Sequence, residues 1–155
     1  MSYVETNLIP GEQVLYRTGL HWIVLVAPVF FGAFFGLIGM ILLIGGDTRI
    51  IGFVFLVFAG LLILLGYLVR KATEMAVTNK RIIIKVGLLS RRTFELLLTK
   101  VESIGVDEGV LGRMLGYGSV TVRGTGGTPE PFKNVAHPLE FRRQVQQRVE
   151  EREQK

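Results

Sequence analysis

Six basic side chains are the residues in this sequence whose types and spacing suggest chemistry. They occur as three adjacent pairs: Arg70 with Lys71, Lys80 with Arg81, and Arg91 with Arg92. Near an anionic membrane surface, each lysine or arginine adds about 1 kcal/mol of attraction. The six residues are therefore candidate contacts for acidic lipid head groups or for an acidic protein partner. The alternative is that they serve only as membrane-topology signals and as a solubilising layer.

The sequence has no arrangement of residues that is typical of an enzyme. It contains no cysteine, and its two histidines, His21 and His137, are far apart. It also lacks the HExxH, GxSxG and P-loop motifs. Carboxylates on or near the predicted strands have the pattern of ordinary solvated charge: Glu95, Glu102, Asp107 and Glu108. We therefore predict a non-enzymatic protein with no cofactor and no metal site.

The apolar residues are concentrated in one part of the chain. The mean hydropathy is +0.43, yet residues 22–69 contain only two charged side chains, Asp47 and Arg49. Two uncharged runs, 22–46 and 50–69, flank a short turn that is rich in glycine. At about 1.5 Å per residue, each run is long enough to cross a hydrocarbon core of about 30 Å as a helix. The sequence predicts a transmembrane hairpin of two α-helices.

The orientation of this hairpin follows from the basic residues near its ends. Cytoplasmic loops carry an excess of lysine and arginine. The turn contains only Arg49, whereas Arg70, Lys71, Lys80 and Arg81 follow the second run. We therefore predict a multi-pass protein of the inner cell membrane with both termini in the cytoplasm.

Small residues form a stripe on each predicted transmembrane helix. They are Gly32, Gly36 and Gly39 on the first helix, and Gly52, Ala59 and Gly66 on the second. Small residues let two helix backbones approach closely in lipid. The stripes therefore either close the hairpin within one chain or join neighbouring subunits. Neither predicted span contains an ionisable side chain, which argues against a proton relay or an ion carrier.

The remaining sequence has the pattern of an antiparallel sheet followed by a helix. Apolar and polar residues alternate with a period of two, which is typical of strands with one buried face. This pattern predicts strands near residues 72–77, 81–87, 91–98, 100–107, 118–124 and 130–135. We expect the pairs Lys80–Arg81 and Arg91–Arg92 to lie at adjacent hairpin ends.

Two further elements frame this sheet. A strand near residues 12–17, within the N-terminal segment 1–21, precedes the hairpin, and residues 70–155 complete the cytoplasmic domain. Pro138 suits the first position of a helix, and Phe141, Val145 and Val149 then recur every four residues. We predict a C-terminal helix over 138–153 that caps one open end of the sheet.

Several short motifs resemble the bacterial pleckstrin-homology (PH) domain family of small two-span membrane proteins. The matching segments are Pro10–Glu12, His21–Trp22, Val77–Ile82, Gly87–Arg92, Leu111–Gly118 and Asn134–Phe141. The resemblance covers nearly the whole chain. It implies an α+β PH-like split barrel of about seven antiparallel strands with a C-terminal helix. It implies little about activity, because one fold hosts many functions.

The loop from Gly112 to Gly118 belongs to these motifs. We expect its glycines to permit turns with positive φ, and we expect Met114 and Leu115 to plug the barrel. A contact of this loop with the membrane surface or with a partner is the alternative.

Together these features predict a membrane-anchored PH-like interaction or scaffolding module at the cytoplasmic face. Its expected partners are membrane lipids, further copies of the same chain in a homo-oligomer, and a membrane protein. Nucleic acid is not expected, because no aromatic residues are interleaved with the basic ones. The alternative function is an oligomeric pore or another transport-related membrane protein.

Overall fold

A computed structural model describes residues 3–45, 47–88 and 92–153. The chain divides into two compact units, of which one is Trp22–Arg70 and the other contains the segments on either side. The elements are α1 (Tyr3–Thr6), β1 (Val14–Gly19), α2 (Val26–Ile44), α3 (Arg49–Ala72), β2 (Glu74–Thr78), β3 (Arg81–Val86), β4 (Arg92–Leu97), β5 (Val101–Asp107), α4 (Val110–Leu115), β6 (Tyr117–Gly124), β7 (Glu130–Ala136) and α5 (Pro138–Glu153).

The apolar unit is a helical hairpin. A short 3-10 segment, Trp22–Leu25, leads into α2, and α3 returns alongside it. The two helical stretches, Trp22–Ile44 and Arg49–Ala72, are each long and apolar enough to cross a membrane. Their bounds lie within three residues of the predicted runs, except that Gly46 lies outside the described residues.

The described strands form two antiparallel sheets, which is the predicted α+β arrangement. The first sheet has the order β1-β2-β3-β4, and the second has the order β5-β6-β7. Leu20 continues β1 and forms an isolated bridge with Val135 of β7, so these two strands bring the sheets together. All seven predicted strands are present, with bounds within two residues or so of the prediction.

The register of the strands gives the two sheets two distinct ends. We call one the exit end, because β1 ends there and β2 begins there. In the first sheet it contains the paired positions Gly19, Glu74, Lys85 and Thr93. In the second sheet it contains Asp107, Ser119, Tyr117 and Ala136. The opposite, distal end contains Val14, Thr78, Arg81, Leu97, Val101 and Gly124.

The main core lies between the two sheets and α5. Phe141 and Val145 of α5 are completely buried against residues of both sheets, including Ile84 and Val122, and Val149 packs at the margin. Burying side chains of this size contributes about 1.5–3 kcal/mol each. The predicted apolar stripe of the C-terminal helix is therefore confirmed, and it is the part of the helix that closes the core.

The first sheet is covered on both faces, which the alternating pattern did not predict. Ile82, Ile83 and Ile84 are all fully buried. Ile83 faces away from the main core and packs with Ala76 and with Val4 of α1. The expectation that each strand has one solvated face is therefore wrong for β2 and β3, because the N-terminal segment covers the outer face.

Candidate functional site

The basic residues singled out in the sequence fall at opposite ends of the first sheet. Lys80 and Arg81 lie at the distal end, where β2 turns into β3. Arg92 pairs with Val86 at the exit end. The expectation that these pairs lie at adjacent hairpin ends is therefore wrong, because β3 runs the length of the sheet between them. Arg91 lies outside the described residues.

Arg70 and Lys71 occupy the last turn of α3, directly before β2, and both are exposed. Because Glu74 at the start of β2 belongs to the exit end, Lys71 and Arg92 flank the same end of the first sheet. The exit end therefore combines exposed basic side chains with the point where the chain connects to the apolar helices.

The side chain of Arg81 is only 12% exposed, and its guanidinium group is hydrogen-bonded within the protein. Its Nε donates to Oε1 of Glu12 at 3.0 Å, and Nη2 donates to Oε2 of the same carboxylate at 3.0 Å. Nη1 donates to Glu95 Oε2 at 2.5 Å, and Nη2 also donates to the Asn7 carbonyl oxygen at 2.8 Å. Four of its five N–H groups are thus used, since a guanidinium has five. This geometry removes Arg81 from the side chains that we propose for lipid contact.

The carboxylate of Glu12 is the acceptor around which this network is built. Its side chain is fully buried. Burial alone raises the pKa of Glu12, but hydrogen bonds from Arg81, from the Ile9 N–H and from the Thr78 hydroxyl outweigh it, so the pKa lies below its ordinary value. The hydrogen bond with Glu12, together with the nearby charge of Glu95, raises the pKa of Arg81. The pair is therefore ionised throughout the neutral range.

Further hydrogen bonds join the segment before β1 to the turn between β2 and β3. Asn79 accepts from the Gln13 N–H at 2.9 Å and donates to the Gly11 carbonyl oxygen at 3.0 Å. Lys80 donates from Nζ to the Pro10 carbonyl oxygen at 2.8 Å. The ammonium group of Lys80 thus has a partner in the protein. Two motifs that are far apart in sequence, Pro10–Glu12 and Thr78–Arg81, form one connected structure.

Sequence reasoning did not find this role for Glu12. The available signal was the position of Glu12 within the Pro10–Glu12 motif. Spacing alone could not pair it with Arg81, since 69 positions separate the two.

Arg92 remains at the surface. Its side chain is 76% exposed, and it pairs with Glu130 at 2.8 Å. An exposed ion pair of this kind contributes about 0–1 kcal/mol. Arg92 can therefore exchange its partner for another anion at little cost.

The small residues of the hairpin face one another within the chain. A Cβ on Gly39 would lie 2.9 Å from the Gly52 carbonyl oxygen, and one on Gly52 would lie 2.8 Å from the Gly39 carbonyl oxygen. A Cβ on Gly66 would lie 2.7 Å from the Pro28 ring. These glycines therefore allow the two helix backbones to touch.

The other members of the two stripes lie along the same seam. A Cβ on Gly32 would lie 2.6 Å from Ile63, and Ala59 is nearly buried. Gly36 is looser, since its Cβ would lie 3.9 Å from that of Ala59. Of the two roles considered for the stripes, the structure shows contacts within the chain.

The loop between β5 and β6 differs from its prediction. Met114 is 77% exposed and Leu115 is 42% exposed, so neither side chain plugs the barrel. The expected glycine turn is present, because Gly116 has a φ of +78° and ends α4. The core is instead closed by Phe141 and Val145 of α5.

A sequence model of the family described as bacterial PH domain matches residues 23–149. The match covers most of the chain and includes both apolar helices and the strands β2 to β7, while β1 lies before it. No curated protein matches the sequence.

Proposed function

Because the chain belongs to the bacterial PH domain family, whose domains are generally non-catalytic interaction modules, we propose that it is a membrane-anchored interaction module. In this proposal α2 and α3 span the inner membrane, and the PH-like unit lies at its cytoplasmic face. The module is non-enzymatic and acts by holding acidic lipids or a membrane protein beside its exit end.

One observation carries the proposal. The two long helices leave most of their apolar side chains uncovered: in their most apolar stretches only 11% and 17% of the residues are buried. Ile44 and Ile50 are more than four-fifths exposed. Soluble proteins rarely leave apolar patches larger than a few hundred Å² in water, whereas a hydrocarbon core surrounds such helices favourably. Lipid is the environment that this surface fits.

The basic residues of the exit end support the choice of ligand. Arg70, Lys71 and Arg92 would lie near an anionic inner leaflet, within the Debye length of about 8 Å over which such attraction acts. Arg91 stays part of this proposal by its sequence position alone. Lys80 and Arg81 do not belong to it, because they lie at the distal end of the sheet.

The lipid contact can be tested on the full chain with charge-matched variants. The pair Lys71→Gln and Arg92→Gln removes two positive charges from the exit end, and the pair Lys80→Gln and Lys100→Gln removes two from the distal end. Native mass spectrometry from mild detergent would count the anionic lipids that each protein retains. We expect the exit-end variant to lose lipid and the distal variant to keep it. Equal retention would contradict the lipid proposal and favour a protein partner.

Self-association is part of the same proposal. The stripes of small residues are occupied within the hairpin, so a homo-oligomer would use the outward helix faces, where Gly60 has open space around it, or the edge strands β4 and β5. Exposed strand edges are ready pairing surfaces. A native mass of one chain in lipid nanodiscs would contradict this part. The rival function, a pore, would have to lie between chains, because glycine contacts close the seam within each hairpin.

A further inference from the structure

A patch of exposed apolar side chains lies on α4. Val110 is 81% exposed, Leu111 65% and Met114 77%, and Leu115 continues the patch. These positions share one side of the helix, because residues three and four apart in a helix lie close together on its surface. We call these four residues the α4 patch. Contiguous exposed apolar side chains of this size mark surfaces that contact lipid or protein.

The backbone holds this patch outward. Gly112 is buried on the opposite side of α4, where any Cβ would collide with the Tyr117 carbonyl oxygen. The Gly116 N–H donates to the Gly112 carbonyl oxygen at 2.7 Å and ends the helix. Because α4 rests on the first residue of β6 through a glycine, its apolar side cannot turn inward without breaking these contacts.

The α4 patch lies beside the point at which the chain leaves the sheets. The imidazole ring of His21 stacks on the ring of Tyr117, with 5.2 Å between centroids. The His21 N–H also donates to the Asn134 carbonyl oxygen at 2.8 Å. His21 is the residue directly before Trp22, where the apolar hairpin begins, and only Gly116 separates Tyr117 from the end of α4.

We propose that the α4 patch inserts into the head-group region of the bilayer, as a second and shallow contact with lipid. This inference rests on the proposed membrane anchoring. Lipid is the favoured occupant because the patch adjoins the exit point of the chain, and because the same short helix carries exposed Arg113. A surface that combines large apolar side chains with a cation is typical of interfacial membrane contacts.

A bilayer contact at the α4 patch would orient the PH-like unit on the membrane. The chain joins the PH-like unit to the hairpin at two points, between His21 and Trp22 and between Arg70 and Lys71. A third contact at the α4 patch would hold the exit end against the bilayer. The exposed basic residues Lys71 and Arg92 would then face the same lipid surface.

The test uses the full chain, which has no native cysteine, reconstituted in nanodiscs with or without lipids brominated in their acyl chains. Single cysteines replace Met114, Leu61 or Thr125 and carry an environment-sensitive fluorophore. Leu61 lies in the middle of α3 and reports on the anchoring itself. Thr125 is exposed in the turn between β6 and β7 at the distal end and is the matched control.

We expect brominated lipid to quench the labels at Leu61→Cys and Met114→Cys by about twofold or more, because both would reach the acyl boundary. The label at Thr125→Cys should be unaffected. Adding Leu111→Gln to the Met114→Cys protein should reduce the quenching of its label. The same change in the Leu61→Cys protein should leave the quenching of that label unchanged.

Each other outcome overturns the inference in a distinct way. Quenching at Leu61→Cys alone would refute the α4 contact and leave the anchoring intact. A blue-shifted label at Met114→Cys without quenching would assign the patch to a protein surface. Equal quenching at Met114→Cys and Thr125→Cys would mean that the patch has no special contact. Absence of quenching at Leu61→Cys would refute both the anchoring and the α4 contact.

Discussion

Replacing Glu12 by glutamine should destabilise the PH-like unit strongly, although the change alters one atom and no backbone. The substitution removes the negative charge that accepts two hydrogen bonds from Arg81, each 3.0 Å long. Arg81 would then keep Glu95 and the Asn7 carbonyl oxygen as acceptors. Arg81 would remain largely buried but would lose its fully buried partner, the carboxylate of Glu12.

The size of the effect follows from this geometry. Removing one partner of a buried ion pair costs about 3–5 kcal/mol, because an uncompensated charge remains. The surviving contacts of Arg81 place the expected loss at the lower limit, about 3 kcal/mol. With a urea m-value of about 1.5 kcal/mol/M, the unfolding midpoint should fall by about 2 M. The control Glu102→Gln removes an exposed carboxylate 3.7 Å from Arg123 and should cost less than about 1 kcal/mol.

Proteolysis in increasing urea, with the full chain in mild detergent, would measure these midpoints, since cleavage reports the unfolded population. Equal midpoints for Glu12→Gln and Glu102→Gln would refute the reasoning. A second variant sharpens the test: Glu12→Gln combined with Arg81→Met removes both charges and should recover part of the loss.

The pH dependence has a definite sign. Because the pKa of Glu12 lies below its ordinary value of 4.5, the folded state holds this proton less tightly than the unfolded state does. The stabilisation is complete above pH 4.5 and is lost as the pH falls through the folded value. The advantage of the natural chain over Glu12→Gln should therefore be constant at neutral pH and shrink below pH 4.5.

Two further predictions concern packing. Ile83→Ala should lower the free energy of unfolding by about 2–4 kcal/mol, as much as Ile84→Ala, because α1 covers the outer face of β3. Thr93→Ala on exposed β4 should lower it by under about 0.5 kcal/mol in the same assay. Equal and small losses for Ile83→Ala and Thr93→Ala would mean that the outer face is open. Gly52→Leu should separate α2 from α3, whereas Gly60→Leu, with open space around it, should be tolerated. The yield of a disulfide between cysteines at Gly36 and Ala59 would measure the separation. Equal yields in the Gly52→Leu and Gly60→Leu proteins would contradict the claim that Gly52 joins the two helices.

Local patterns predicted the elements of this fold, because the rules behind them act over a few residues. The period-two runs gave seven strands, and the four-residue repeat of Phe141, Val145 and Val149 gave the buried side of α5. The stripes of small residues predicted the helix seam without fixing which chains it joins. Such patterns depend only on neighbours in the sequence.

The errors concern contacts between segments that are distant in the chain. The period-two pattern put Ile83 on the solvated face of β3, because the sequence of this strand does not show that Val4 covers it. Arg81 looked like a surface cation because its partner, Glu12, lies on the far side of the apolar hairpin in sequence. Met114 looked like a core residue because its exposure depends on Gly112 resting against β6. The strand register also separates Lys80 from Arg92, which we expected to lie at adjacent hairpin ends.

The most direct test of the central claim is the sidedness of the two units. Cysteines introduced singly at exposed Asp47, between α2 and α3, and at exposed Thr125, in the PH-like unit, would be treated with an impermeant maleimide on intact spheroplasts. The account predicts labelling of Asp47→Cys in intact cells and of Thr125→Cys only after permeabilisation. Labelling of Thr125→Cys with protection of Asp47→Cys would reverse the orientation, and recovery of the chain in the soluble fraction after the membranes are removed would show that it is not anchored there.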